Sequence, residues 1–260
     1  MATKTPLQIE ELAKLDQLIK EKFDRYLSQP DIMQFLVQFA GADKRPYATF
    51  LTQVYHYTFH TARNQALVGV NLSNTHIKYM KFCFEHALEE TGHELMALHD
   101  LKAMGIPIDD VESDMPPILP ATELLVSYLY WVSIQGNPLQ RLGFSYWAER
   151  SYGVVGQVVE SMAETLKLDK KQMTFYFNHS DIDDKHAKDV ENILIITCKT
   201  KDDWKAVHKV ASTTIDVSLE MMSQCIEAYK TLASGEESDF AILNTIAPNP
   251  VAENPIAENA

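Results

Sequence analysis

Residues 178–189 read NHSDIDDKHAKD, with three acids between two histidines. On a helix each residue advances about 100°. With His179 at zero, Asp183 falls at about 40° and His186 at about −20°, whereas Asp181 and Asp184 fall at about 200° and 140°. One acid therefore shares the face of both imidazoles, in an H-x3-D-x2-H stripe roughly 10 Å long. Two imidazoles and a carboxylate on a buried face need hydrogen bonds or a metal. Nitrogen and oxygen donors without thiolate suit iron, manganese or zinc. The plainer reading is a solvated surface helix with two incidental histidines.

A second stripe lies in EHALEETGHELMALHD. Glu89 and Glu90 precede His93 by four and three residues, one on either side of its face, and His86 shares that face to within about 20°. Glu85 and Glu94 point elsewhere and read as surface charge. A third element is Glu149 in FSYWAERSYGVVGQ, set among aromatic and small residues. A glutamate there needs a cation, and Gly153 and Gly156 would let another helix approach. A surface pair with Arg150 is the alternative. In QVYHYTFHTARNQ, His56, His60 and Asn64 form one row flanked by Tyr55, Tyr57 and Phe59. That row reads either as satisfied core histidines or as the wall of a substrate pocket, to which Tyr146 and Tyr152 would add aromatic surface.

Helices must position these groups. Long segments carry helical spacing, almost none alternates cleanly, and only nine glycines occur, so the chain reads as all-α. Helices are expected over Pro6–Leu27, shortly after Pro30, over Arg45–Val70, from Ser73 continuously to Met104, over Ala121–Ile134, Leu139–Leu166, Lys170–Thr197 and Asp202–Leu232. Gly105 sits where a helix end favours a left-handed residue. The four prolines between Ile106 and Pro120 make that stretch a surface linker. A single helical domain over 1–233 is expected, followed by an acidic, proline-containing tail over 234–260, disordered or loosely draped.

The formal net charge of −13 argues against nucleic-acid binding and weakly against an anionic membrane surface. No run of 18 apolar residues suggests a membrane span. The three cysteines, Cys83, Cys198 and Cys225, are widely spaced and lack a C-x-x-C motif, which fits a reducing cytoplasm without disulfides or a thiolate zinc site.

The order Glu/His, then Glu, then His/Asp/His resembles the haem-oxygenase-like di-iron oxidases, relatives by fold of the thiamin-salvage and pyrroloquinoline-quinone biosynthesis proteins. The likeness spans roughly residues 5–232 and is carried by LEETGHELMALHDLKAMG, YWAER and YFNHSDIDDKHAKD. It implies a haem-oxygenase-like bundle of about seven to eight helices. It also implies two Fe(II) ions per chain held by Glu89, His93, Glu149, His179, Asp183 and His186. Glu89 comes from a Glu-Glu pair in which Glu90 is an open substitute, and His86 is left to the core or to a supporting role. Glu149 would bridge the irons and is the catalytic candidate. O2 would be the co-substrate, an external reductant is compatible, and the substrate would be a small amino-acid-like molecule, amine or fatty acid. Family outcomes include N-oxygenation, oxidative C–C cleavage and nitrile or alkene formation. The member that makes para-aminobenzoate from its own tyrosine carries that tyrosine in its first helices. LSQPDIMQFL has none, so that chemistry is not carried over. A cytoplasmic protein, with a homodimer as one arrangement, completes the expectation. The alternatives are a metal-free thiamin-salvage-type hydrolase, a cofactor-free oxidase, and a non-enzymatic helical adaptor.

Overall fold

The computed structural model describes residues 4–32 and 43–248, apart from the side chains of 74, 152–155, 157–159 and 178–184. Among these residues the secondary structure is helical throughout. The helices are α1 (Pro6–Leu27), α2 (Arg45–Asn71), α3 (Ile77–Glu89), α4 (Glu94–Ala103), the single turn α5 (Val111–Asp114), α6 (Pro120–Ile134), α7 (Leu142–Leu166), α8 (Thr174–Thr197) and α9 (Lys201–Ser234). Short 3-10 turns lie at Asn74–His76 and Ala241–Ile246. None of the helices is long and apolar enough to cross a membrane.

Helix α1 starts where Thr5 and Gln8 form a capping box, each side chain bonded to the other's backbone N–H. Its stripe of Leu12, Leu15, Ile19, Phe23 and Tyr26 is buried, as the spacing requires. The buried Gln8 amide also donates to the carbonyls of Ile195 (2.8 Å) and Cys198, tying α1 to the end of α8. Helix α2 is central and packs against α3, α4, α6 and α9, while α7 lies between α8 and α9. Gly143 makes the α7–α9 crossing close. A Cβ there would stand 2.1 Å from the Val207 carbonyl oxygen and 2.7 Å from the Ala211 nitrogen. Gly156 faces the Tyr176 hydroxyl on α8 more loosely, and the Gly153 side of the expected pair lies outside the described side chains.

The structure departs from the sequence reading in two places. The expected continuous helix from Ser73 to Met104 is broken between Glu89 and Glu94. Gly92 takes φ +93° there, a conformation closed to a continuing right-handed helix. The chain beyond Ser234 is also not wholly loose. α9 stops at Gly235 (φ +80°), and Phe240 and Leu243 then bury beside Tyr47, Leu51 and Leu101. The helix expected after Pro30 is described only at its start, Pro30 to Ile32, and the final twelve residues, 249–260, lie outside the described residues.

Helix α8 lacks a cap of its own, since Met173 makes no side-chain cap bond. Asp100, fully buried on α4, supplies one from a distance. Its carboxylate accepts from the backbone N–H of Thr174 (2.8 Å) and Phe175 (2.9 Å) and from the Thr174 hydroxyl (2.6 Å). A carboxylate at a helix N-terminus satisfies orphan donors and complements the dipole, and here it aligns the helix that carries His186.

Candidate metal centre

Four groups from three segments converge. His86 comes from α3, Glu90 from the turn that follows it, Glu149 from α7 and His186 from α8. One donor atom from each lies within 4.8 Å of the others. His86 Nε2 is 3.1 Å from Glu149 Oε1 and 3.9 Å from Glu90 Oε1. His186 Nδ1 is 3.5 Å from Glu149 Oε2 and 3.9 Å from Glu90 Oε1. Each oxygen of Glu149 therefore faces a different imidazole. The His86 and His186 rings meet edge to face with centroids 4.9 Å apart, and Phe82 stacks on His86.

Glu90 meets a third histidine, since its Oε2 lies 3.2 Å from His93 Nδ1. The break at Gly92 places His93 at the start of α4, yet the turn keeps the two residues in contact. Glu89 stands at the edge. It is 43% exposed, accepts from His186 Nε2 at 3.0 Å and is held by Lys185 Nζ at 2.8 Å.

The electrostatics are those of buried anions facing imidazoles. Burial acts to raise Glu149, and the hydrogen bonds from His186 and His86 overcome it, holding the carboxyl at about 2. Burial acts to lower His186, and Glu149 overcomes it, raising the imidazole to about 9. Glu90 is likewise held low against burial by His93 and His86. Without a metal the centre stores protons on histidine and charge on glutamate. Two imidazoles and two carboxylates, with no thiolate, are a donor set for iron, manganese or zinc. The buried Nδ1 of His86 lacks a hydrogen-bond partner among the described residues.

The segments flagged in the sequence thus meet, with a shifted membership. Glu149 and His186 are in the cluster, Glu90 occupies it where Glu89 stands at its rim, and His93 adjoins it through Glu90. His86, assigned no ligand role from sequence, is a full member, and its H-x3-E spacing to Glu90 was the available signal. The side chains of His179, Asp183 and Tyr152 lie outside the described residues, although α8 is helical through both of the first two. The surface pair of Glu149 with Arg150 does not form. Arg150 reaches Glu191 (2.5 Å) and Asp16 (3.7 Å) instead.

A cavity of about 70 Å³ adjoins the cluster. His86, Glu90 and Glu149 form one side of it, and Tyr57, Thr58, Thr61, Arg141, Phe144 and Ser145 line the rest. The expected pocket helix, α2, contributes through a different face. His56 bonds the Pro116 carbonyl (2.7 Å) and His60 the Tyr130 hydroxyl (2.9 Å), and neither lines the cavity. Tyr146 points away from it, donating to Asp16 at 2.8 Å beneath the Arg150 guanidinium.

Residues 48–218 match a family model described as iron-containing redox enzyme. No curated protein matches the chain. Among solved structures, a domain of unknown function with a heme oxygenase-like fold from Shewanella denitrificans OS217 is 41% identical, with a TM-score of 0.79 over 88% of this chain and 97% of that one. A TenA homologue from P. horikoshii OT3 aligns with a TM-score of 0.63 at 12% identity, over 84% of this chain and 98% of that one. A TenA homologue from Pyrococcus furiosus aligns at 0.64 and 17%, over 83% and 99%.

Proposed function

Because the chain belongs to the haem-oxygenase-like family of iron-containing redox enzymes, we propose that it is a non-haem di-iron oxidase that uses O2 on a small amine, amino-acid-like or fatty-acid substrate. The observation that carries the reading is the placement of Glu149, largely buried, with one oxygen facing His86 and the other facing His186. A carboxylate so disposed can serve two cations, and a buried carboxylate pair beside imidazoles is costly without one.

In this reading His86, Glu90, Glu149 and His186 hold metal. His93 adjoins Glu90, and His179 and Asp183 complete the set from one to two turns earlier on α8. Glu89 then orients His186 through Nε2, as outer carboxylates do for metal-binding imidazoles. Bound iron supplies one-electron chemistry with O2. The protein contributes the rest. Phe144 gives the cavity beside the cluster an apolar wall, and Phe82 covers His86 by stacking on its ring. His93 Nδ1 lies 3.2 Å from Glu90 Oε2, close enough to exchange a proton with that carboxylate.

A thiamin-salvage-type hydrolase would need a nucleophilic thiol. Cys83, Cys198 and Cys225 are all buried, and burial pushes each up to about 12, the inert kind. The TenA likeness, at 12–17% identity, speaks to fold. An adaptor would leave the buried Glu–His cluster without a purpose.

Anaerobic Fe(II) loading tests the proposal. The wild type is expected to bind about two irons per chain and to show an O2-dependent optical change. Glu149→Ala should retain at most about one iron and lose the change, with helical content intact. Wild-type loading and O2 response in that variant would make the di-iron reading wrong at its central residue.

A further inference from the structure

Arg141 is the largest unexplained charge in the interior. It is 1% exposed, at the start of α7, and lines the cavity beside Glu90 and Glu149. Its Nε donates to Asn64 Oδ1 (2.8 Å), and its Nη1 donates to Ser145 Oγ (2.8 Å) and Gln65 Oε1. All three partners are neutral. They orient the guanidinium over the Phe144 ring without neutralising it, and Nη2 has no hydrogen-bond partner among the described residues. Asn64 is itself fixed, because its amide donates to the His60 carbonyl at 2.8 Å and so turns its oxygen toward Arg141. No carboxylate forms an ion pair with Arg141 among the described residues. A buried guanidinium without an anion is expensive, and the planar fork suits a carboxylate. Glu90 and Glu149 offset it only from a distance, and a divalent ion on those two groups would take up that charge.

We propose that Arg141 is the anchor of a carboxylate subsite, so that the substrate is a small carboxylic acid whose head group enters the cavity with its carboxylate on Nη2 and its adjoining carbons against the Glu90–Glu149 cluster. About 70 Å³ accommodates a head group of that size, since on the same measure roughly 10–15 Å³ suffices for one water. This narrows the substrate classes of the proposed function and rests on that reading for the chemistry, though not for the binding.

The test is calorimetric titration of the full-length chain, both metal-stripped and loaded with redox-inert zinc(II), with propionate, propionamide and propylamine. Propionate is expected to bind at least about tenfold tighter than the isosteric amide or the amine in both states, as one charge-assisted contact provides. Arg141→Gln should erase that preference with zinc stoichiometry unchanged, and Arg141→Lys should keep part of it. Equal binding of propionate and propionamide by the wild type overturns the proposal, as does a preference that survives in Arg141→Gln. If Arg141→Gln does not fold, the wild-type comparison still decides. Ser145→Ala, which removes one contact that holds the guanidinium, must then weaken propionate and leave propionamide unaffected. Failure of the wild type to bind zinc or iron would instead sink the metal reading, and the stripped-chain titration would stand apart from it.

Discussion

Glu89 and Glu90 are adjacent in sequence and opposite in surroundings. Glu90 is buried between His86, His186 and His93, whereas Glu89 is held at the rim by Lys185 and the outer nitrogen of His186. Glu90→Gln is expected to weaken zinc or iron binding more than about 100-fold, and Glu89→Gln about tenfold, the lower range for an outer partner of a metal-binding imidazole. Competition against a chelator measures both. The reverse order would restore Glu89 as the ligand. The acids of NHSDIDDKHAKD pose a similar comparison. Asp183→Asn should lower iron content sharply, and Asp181→Asn and Asp184→Asn should leave it nearly unchanged, because the latter two lie well off the histidine face of α8. Equal losses in all three, by metal analysis, would refute the shared-face argument.

At the scale of elements, the centre depends on how α3, α7 and α8 are held against one another. Gly143 sets the depth at which α7 meets α9, since backbone atoms of α9 occupy the space a side chain would need. Gly143→Ala must push the helices apart and is expected to cost about 3 kcal/mol or more, at the high end for overpacking. The shift should carry Glu149 and Arg141 with α7, so metal affinity should fall together with the thermal midpoint. Unchanged melting would mean that the crossing is more pliant than the contact implies. Asp100 acts the same way on α8, from α4, by capping a helix that has no cap in its own sequence.

For the whole molecule, the buried pair of Glu149 and His186 ties folding to pH. Its imidazole is held at about 9 in the fold, against about 6.5 when unfolded. Its contribution is therefore complete below about 6.5 and is lost as pH rises through about 9. Glu149, held at about 2 against about 4.3 unfolded, contributes above about 4.3 and loses that as pH falls toward 2. Metal-free protein should be most stable between about pH 4.5 and 6.5 as far as this pair is concerned. Loading with zinc displaces the His186 proton, so the alkaline decline should flatten and metal affinity should climb with pH. Thermal melts from acid to alkaline pH, with and without zinc, measure this. Identical alkaline declines in both states would mean that His186 keeps its proton and is not a ligand.

The all-helical class, the span of α1, the stop at Gly105 and the three chemistry-bearing segments were legible in the sequence, because each is written in local periodicity, capping and glycine placement. The meeting of Glu149 with His186 was expected through the resemblance of the motifs. The break at Gly92 was missed because apolar spacing runs through it, and one left-handed glycine outweighs a weak periodic signal. Sequence spacing also could not separate Glu89 from Glu90, recognise His86 as a member of the cluster, or choose which face of α2 meets the cavity. Periodicity reports which residues share a face of one helix. Which faces confront each other is decided by crossing angle and depth, and these follow from packing at residues such as Gly143 and from contacts between distant segments. Arg141 shows the limit most clearly: in sequence it is an ordinary arginine after a turn, and only the packed bundle leaves it buried, oriented by neutral partners, beside two carboxylates and a cavity.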